Sequence, residues 1–169
     1  MTTKQVYRGN VVNVRRDRVV LPNGHRAELE VVEHPGGAAV LALDDKDRAC
    51  LLKQYRHVVG NFIWELPAGK REANEPPEQT ARRELAEEAG VKAAYWTSLG
   101  KMYSSPGVFD EVVYLFLARG LTSTPTQREP SENLEVHWVP LVEAARMARD
   151  GSIDDAKTVI ALLRALPPV

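Results

Sequence analysis

Short apolar stretches separated by turn residues fill the first third of the chain and predict β-strands. The predicted strands are 11–14, 18–21, 27–34, 38–43 and 49–55. Pro22-Asn23-Gly24 supplies a turn between the second and third of these strands. The run 38–43 is apolar throughout and has the length of a buried strand.

The pattern becomes helical in the middle of the chain. Between residues 76 and 89 the sequence is rich in Ala, Glu, Arg and Leu, with prolines at its start and Gly90 just past its end. Further strands are predicted at 95–102, 111–118 and 134–140, and terminal helices at 142–147 and 154–166. This order predicts an α+β fold in which helices flank a mixed sheet, an α/β sandwich.

Composition narrows the class of protein. A length of 169 residues suits one domain, residues 1–169, and a net charge of -1 gives no basic field for nucleic acid or an anionic membrane. No apolar stretch approaches the roughly 20 residues that span a bilayer, and the N-terminus lacks a secretory signal. The single cysteine, Cys50, is expected to be a small buried side chain. We expect a soluble, cytoplasmic protein with no nucleic-acid or membrane partner.

Three glutamates on the predicted central helix carry the candidate chemistry. Glu84, Glu87 and Glu88 stand at i, i+3 and i+4, so their carboxylates share one face within about one turn. An apolar stripe can anchor the helix to a sheet, and it consists of Ala81, Leu85 and Ala89. Arg83 can pair with Glu87, and the remaining oxygens suit Mg²⁺ beside substrate phosphates. Helix composition alone equally fits a solvated surface helix.

The spacing of residues on either side of the glutamates decides between a metal-binding helix and a solvated surface helix. The segment from Gly69 through Glu75 to Val91 resembles the Nudix box, G-x5-E-x7-R-E-U-x-E-E-x-G-U with U aliphatic, at every specified position. A chance match across a chain of this length is on the order of 10⁻⁷. The resemblance implies a Nudix-type α/β/α sandwich with an N-terminal β-hairpin, and a metal-dependent pyrophosphohydrolase.

The same resemblance implies which box residues hold the metal. Glu84 and Glu88 come first, with Glu87 close by and the backbone carbonyl of Ala68 joining them. Gly69 would let the backbone approach the metal, and Glu75 would hold the box loop. Mg²⁺ is the expected ion, and Mn²⁺ or another divalent ion could substitute for it.

Segments outside the box are similar to those of ADP-ribose pyrophosphatases. These segments are 33–36, 54–56, 64–69, 104–111 and 155–162. By this resemblance Arg56, Glu65 and Glu111 bind substrate, Arg56 as a donor fork for a phosphate. The alternatives are a surface cation at Arg56 and an edge charge at Glu111. Trp64 is expected to pack rather than to stack on substrate.

The catalytic base is expected from an acidic loop at 128–135. Alignment with the family's late strand selects Glu132 first and Glu129 second, while Glu87 is a further candidate and Arg83 would steer Glu87. The loop could instead be plain solvated acid. The four histidines lack the paired spacing of zinc ligands.

The expected reaction is hydrolysis of the ADP-ribose diphosphate to AMP and ribose 5-phosphate. One alternative is another nucleotide sugar, such as GDP-mannose, and the other is a sensor that binds ADP-ribose without cleaving it. The resemblance also implies a homodimer that uses the N-terminal strands, about residues 1–36. Arg15, Arg16 and Arg18 there are either a solvated face or reach toward the partner.

Overall fold

A computed structural model describes residues 2–128 and 133–166. Over these residues the chain forms ten strands and three helices. In order they are β1 (Thr2–Arg8), β2 (Asn13–Val20), β3 (Arg26–Glu33), β4 (Gly37–Ala42), β5 (Arg48–Arg56), β6 (Asn61–Glu65), β7 (Ala68–Lys70), α1 (Pro77–Ala89), β8 (Val91–Tyr103), β9 (Val112–Ser123), β10 (Leu134–Pro140), α2 (Leu141–Asp150) and α3 (Ala156–Ala165). Within the described ranges, each helix is too short or too polar to cross a bilayer.

The N-terminal region forms an antiparallel sheet in the order β1-β2-β3. The predicted turn is confirmed, since the Leu21 N–H donates to the His25 carbonyl across 2.8 Å. The strands predicted at 11–14 and 18–21 belong to one strand, β2, whose backbone pairs with β3 without a break from Asn13 to Val20. Ion pairs between the two strands cross its polar middle. Arg16 pairs with Glu30 at 3.3 Å and Arg18 with Glu28 at 2.7 Å. The predicted hairpin is therefore β2–β3, extended by β1.

The central strands form two sheets, ordered β7-β4-β9-β8 and β10-β5-β6. The pairing of β4 with β9 is parallel, and the other pairings in these two sheets are antiparallel. The two faces of β4 enter different cores, because successive side chains of a strand point in opposite directions. Ala39 and Leu41 pack with the α3 residue Leu162, whereas Val40 packs with Leu85 of α1. Helices thus cover both faces, which confirms the predicted sandwich.

Helix α1 has the predicted boundaries and orientation. Pro77 occupies its first turn, and Gly90 ends it in the left-handed region with φ 67°. Ala81 and Leu85 are fully buried against the sheet, as the apolar stripe predicted. The short strand β7, which the sequence did not predict, pairs with β4 and brings residue Ala68 beside Ala39. The chain leading into the box is thereby fixed to the sheet beside α1.

Candidate active site

The predicted carboxylates lie between α1 and the backbone of β7. Glu84 is 8% exposed and Glu88 2% exposed, whereas the Glu87 side chain is about one-third exposed. A Cβ atom added to Gly69 would lie 1.8 Å from Oε1 of Glu84. Glycine at this position therefore allows the β7 backbone to pass this close to the carboxylate. The predicted approach of the Gly69 backbone to a metal ion stays a prediction.

Arg83 organises this group of acids. Its Nη1 atom lies 2.6 Å from Oε1 of Glu84 and 3.1 Å from Oε2 of Glu87. Its Nε atom donates to Glu75 across 3.1 Å, and its Nη2 atom donates to the Lys70 carbonyl at the same distance. The hydrogen bond to Glu75 is the main cause that raises the pKa of Arg83. The predicted pairing with Glu87 is present, and the same guanidinium also holds Glu84.

Glu75 holds the loop ahead of α1. Its carboxylate accepts from the Thr80 hydroxyl at 2.8 Å and from the Glu72 N–H at 3.1 Å. The hydrogen bond from Arg83 lowers the pKa of Glu75 from 4.5 to about 2. These contacts are those expected of a residue that fixes the loop and the arginine.

Glu88 contacts the backbone of β7 through a hydrogen bond. The Ala68 N–H donates to Oε2 of Glu88 across 2.9 Å. Cys50 is fully buried, as predicted, and burial together with the charge of Glu88 raises the pKa of its thiol to about 12. The thiol is therefore an inert packing group beside the site.

The donor set suits a hard divalent cation. Two buried carboxylates lie directly against the backbone of β7. Glu88 accepts from the Ala68 N–H, and Glu84 is so close to Gly69 that a Cβ atom there would overlap its carboxylate. In the described ranges no three acidic, histidine or cysteine side chains converge closely enough to enclose a metal by themselves. Mg²⁺ does not require such an enclosure, because it commonly takes one or two carboxylates and completes its shell with water and phosphate oxygens.

A second group of charged residues borders the carboxylates. Glu65 is 1% exposed. Its carboxylate accepts hydrogen bonds from Arg56 Nε at 2.5 Å, Arg56 Nη2 at 2.9 Å and Lys157 Nζ at 2.5 Å. Burial opposes ionisation of Glu65, but the contacts with Arg56 and Lys157 outweigh it and hold its pKa below the ordinary value. Glu65, predicted to bind substrate, thus reaches the cavity through these two cations.

Two adjoining cavities connect the two groups. One of about 660 Å³ is lined by Glu84, Glu87 and Glu88, and one of about 390 Å³ is lined by Glu111 and Lys157. Both are lined by Arg56 and Ala68. The structure therefore brings the metal-ligand candidates, Arg56 and Glu111 to one continuous surface, whereas the buried Glu65 lines neither cavity.

The remaining predictions concern Glu111, Trp64 and the candidate bases. Glu111 contacts Nδ1 of His34 at 2.9 Å, and His34 lines both cavities, although no sequence pattern predicts a role for it. Trp64 packs partly buried against the core, as predicted. The candidate bases Glu132 and Glu129 lie outside the described ranges.

The NUDIX domain family matches residues 33–162, which include the whole carboxylate helix. The chain belongs to the Nudix family. Residues 2–38 of this Nudix protein match a second family, which is described as the nucleoside diphosphate sugar hydrolase N-terminal domain. That second match spans the three-stranded sheet β1-β2-β3.

Characterised relatives match the Nudix chain over most of their length. It is 40% identical over 161 residues to the ADP-ribose pyrophosphatase of Bacillus subtilis (strain 168), covering 94% of this chain and 87% of that protein. It is 37% identical over 166 residues to the ADP-ribose pyrophosphatase of Mycobacterium tuberculosis, covering 96% and 80%. A crystal structure described as an ADP compounds hydrolase shares the fold, with a TM-score of 0.83, 23% identity and coverage of 97% and 89%.

Proposed function

We propose that this Nudix protein hydrolyses the diphosphate of ADP-ribose to AMP and ribose 5-phosphate. The observation that carries the proposal is the shared surface on which the buried box carboxylates meet Arg56 and Glu111. The names of the two relatives, both ADP-ribose pyrophosphatases, support this substrate.

Mg²⁺ is the proposed cofactor, as Nudix hydrolases generally use divalent cations. Glu84 and Glu88 would hold it, with Glu87 and the Ala68 carbonyl contributing. When bound, it would supply Lewis-acid stabilisation of the negative charge that develops on the diphosphate oxygens. Mn²⁺ has the same preference for oxygen ligands and is expected to substitute.

The side chains of the chain itself orient the substrate and accept the proton. Arg56 presents a planar guanidinium whose bonds to Glu65 fix its orientation, a suitable donor for a diphosphate oxygen. Glu111 is the proposed acceptor for hydroxyls of the terminal ribose. Water forms a new bond to one phosphorus while the bridging P–O bond breaks, and one proton of the water passes to a carboxylate. Glu132 is the first candidate for this base and Glu87 the described alternative.

A substrate panel tests the proposal. The protein would be incubated with Mg²⁺ and ADP-ribose, GDP-mannose, NADH, Ap4A or a nucleoside triphosphate, and kcat/KM would be compared. We expect ADP-ribose to give the highest value. A higher value for GDP-mannose would assign a different nucleotide sugar to the same site. Binding of ADP-ribose without cleavage of any member would favour the sensor alternative.

We further propose that the protein is a homodimer that uses the N-terminal sheet. All seven residues of β1 are exposed in the single chain. Large apolar side chains on this sheet are also exposed, namely Val6, Tyr7, Val20 and Leu29. Exposed apolar side chains on an uncovered sheet suit a protein interface, here with a second copy of the chain. Sedimentation velocity should give twice the chain mass of 18.8 kDa, and the mass of a single chain would contradict the dimer.

A further inference from the structure

The first turn of α3 lies against the segment that leads into the box. The Leu66 N–H donates to Oγ1 of Thr158 across 2.9 Å, and Lys157 Nζ lies 2.5 Å from Oε2 of Glu65. Asp155 fixes the turn, because its carboxylate accepts from the Thr158 N–H at 3.1 Å and from Lys157 Nζ at 2.9 Å. This turn carries a cation into the wall of the 390 Å³ cavity, where the proposed reaction assigns it no role.

We propose that Lys157 is a positioning residue for substrate binding, which fixes the Arg56 guanidinium through the Glu65 carboxylate that both cations share. The inference rests on the proposed function, because it takes Arg56 to be the residue that meets the diphosphate. Lys157 would then contribute to binding of the substrate diphosphate as well as to the structure of α3.

The shared carboxylate provides the coupling. Arg56 binds Glu65 through two nitrogens, so the plane of the carboxylate sets the plane of the guanidinium. Lys157 Nζ contacts Oε2, which is also the oxygen that Arg56 Nη2 contacts. Loss of Lys157 would leave this oxygen without its second cation. The carboxylate could then rotate, and Arg56 would rotate with it.

Loss of the Lys157 charge would also weaken substrate binding. Arg56 and Lys157 offset the charges of Glu65 and Asp155, so the four side chains together are neutral. Removing Lys157 would leave a net negative charge in a wall that must accept an anionic diphosphate. Because Glu65 is buried, solvent would screen this charge poorly. Both effects weaken binding more than the chemical step, so they should raise KM.

A purely structural role would explain the arrangement less well. Thr158 already ties α3 to Leu66 through a neutral hydrogen bond. A buried ion pair adds little stability, because removing both charges from water costs about as much as their attraction returns. The side chain of Lys157 is 17% exposed and lines the cavity, where a cation affects bound anions.

Steady-state kinetics of the full-length protein with ADP-ribose test this role. Lys157→Met should raise KM on the order of tenfold and change kcat by less than about threefold, as expected from loss of a charge-assisted contact. Lys157→Arg, which keeps the charge, should restore much of the affinity. The matched control is Lys46→Met on the exposed turn after β4, which removes the same charge and should leave KM unchanged.

A double-mutant cycle with Arg56→Lys tests whether Lys157 acts through Arg56. If it does, adding Lys157→Met to Arg56→Lys should raise KM only slightly further. A wild-type KM for Lys157→Met contradicts the proposal, and so do fully additive effects in the cycle. If thermal melting shows that Lys157→Met does not fold, Lys157→Gln is compared with Lys157→Arg, and equal KM values contradict the proposal. Failure of the proposed function is distinguishable, since it appears as no ADP-ribose hydrolysis by the wild-type protein.

Discussion

The N–H of Ala68 donates to Oε2 of Glu88 across 2.9 Å and so joins the segment ahead of the box to the last glutamate of the proposed metal-binding face. Strand β7 is paired to β4, and α1 packs on the other side of the same site. The hydrogen bond therefore fixes Glu88 between two rigid elements. Metal ligands held in this way keep their geometry without rearranging when the ion binds.

Replacement of Glu88 by glutamine removes the negative charge of the side chain and keeps its size and shape. The amide oxygen of Glu88→Gln can still accept from the Ala68 N–H, so the variant should stay folded, which thermal melting checks. We expect kcat for ADP-ribose to fall by roughly 100-fold or more, because a neutral amide is a poor ligand for Mg²⁺.

The matched control for that variant lies on the same helix. Glu78 is exposed and pairs with Arg82 at 2.7 Å in an i,i+4 contact. Glu78→Gln makes the same chemical change and should alter neither kcat nor folding noticeably, since such pairs contribute about 0.3–0.5 kcal/mol. Turnover of Glu88→Gln close to that of Glu78→Gln would refute the metal assignment.

Gly69→Ala tests the close approach of β7 to α1. The added methyl group would lie 1.8 Å from Oε1 of Glu84, so either the carboxylate or the strand must move. We expect kcat to fall at least about tenfold, because a displacement near 1 Å at a catalytic site costs on the order of a hundredfold. Gly60→Ala is the comparison, since its methyl group would meet open space and only its φ of 72° opposes the change. That variant should lose about 1 kcal/mol of stability and keep its activity. Equal activities would show that the approach is unimportant.

The ion pair between Glu75 and Arg83 should appear in the pH dependence of stability. The hydrogen bond from Arg83 lowers the pKa of Glu75 from 4.5 to about 2 in the folded protein. A lowered folded-state pKa contributes stability that is present above the unfolded value and is lost as pH falls from 4.5 to about 2. Glu75→Gln should therefore reduce the free energy of unfolding at pH 7 by on the order of 1–3 kcal/mol, allowing for partial solvent screening.

Urea unfolding at several pH values measures this contribution directly. The difference between the wild-type protein and Glu75→Gln should narrow below pH 4.5 and vanish near pH 2. A difference that stays constant with pH would mean that Glu75 stabilises the loop by packing rather than by its charge.

Much of the site could be predicted from sequence because its chemistry is local. Glu84, Glu87 and Glu88 stand within one turn, so helical periodicity alone places them on one face. The burial of Leu85 followed from the same periodicity and is observed. Box spacing added Gly69, whose value lies in the side chain that it lacks.

The remainder depends on contacts between distant parts of the chain. Lys157 and Glu65 are 92 residues apart, and no local pattern indicates that α3 brings them together. Strand β1 was not predicted, because it has no buried face. Its sequence therefore lacks the alternation of apolar and polar residues that marks a half-buried strand. Strand β7 has only three residues, too few to produce a pattern.

We have proposed that the α1 carboxylates, with a divalent ion, cleave the diphosphate of ADP-ribose. The first measurement separates the products of ADP-ribose incubated with the protein and Mg²⁺, with and without excess EDTA. We predict AMP and ribose 5-phosphate in equal amounts, no product with EDTA, and recovery when Mg²⁺ is returned in excess. Unchanged product formation in EDTA would refute the metal dependence, and intact ADP-ribose in the presence of Mg²⁺ would refute the proposed hydrolysis.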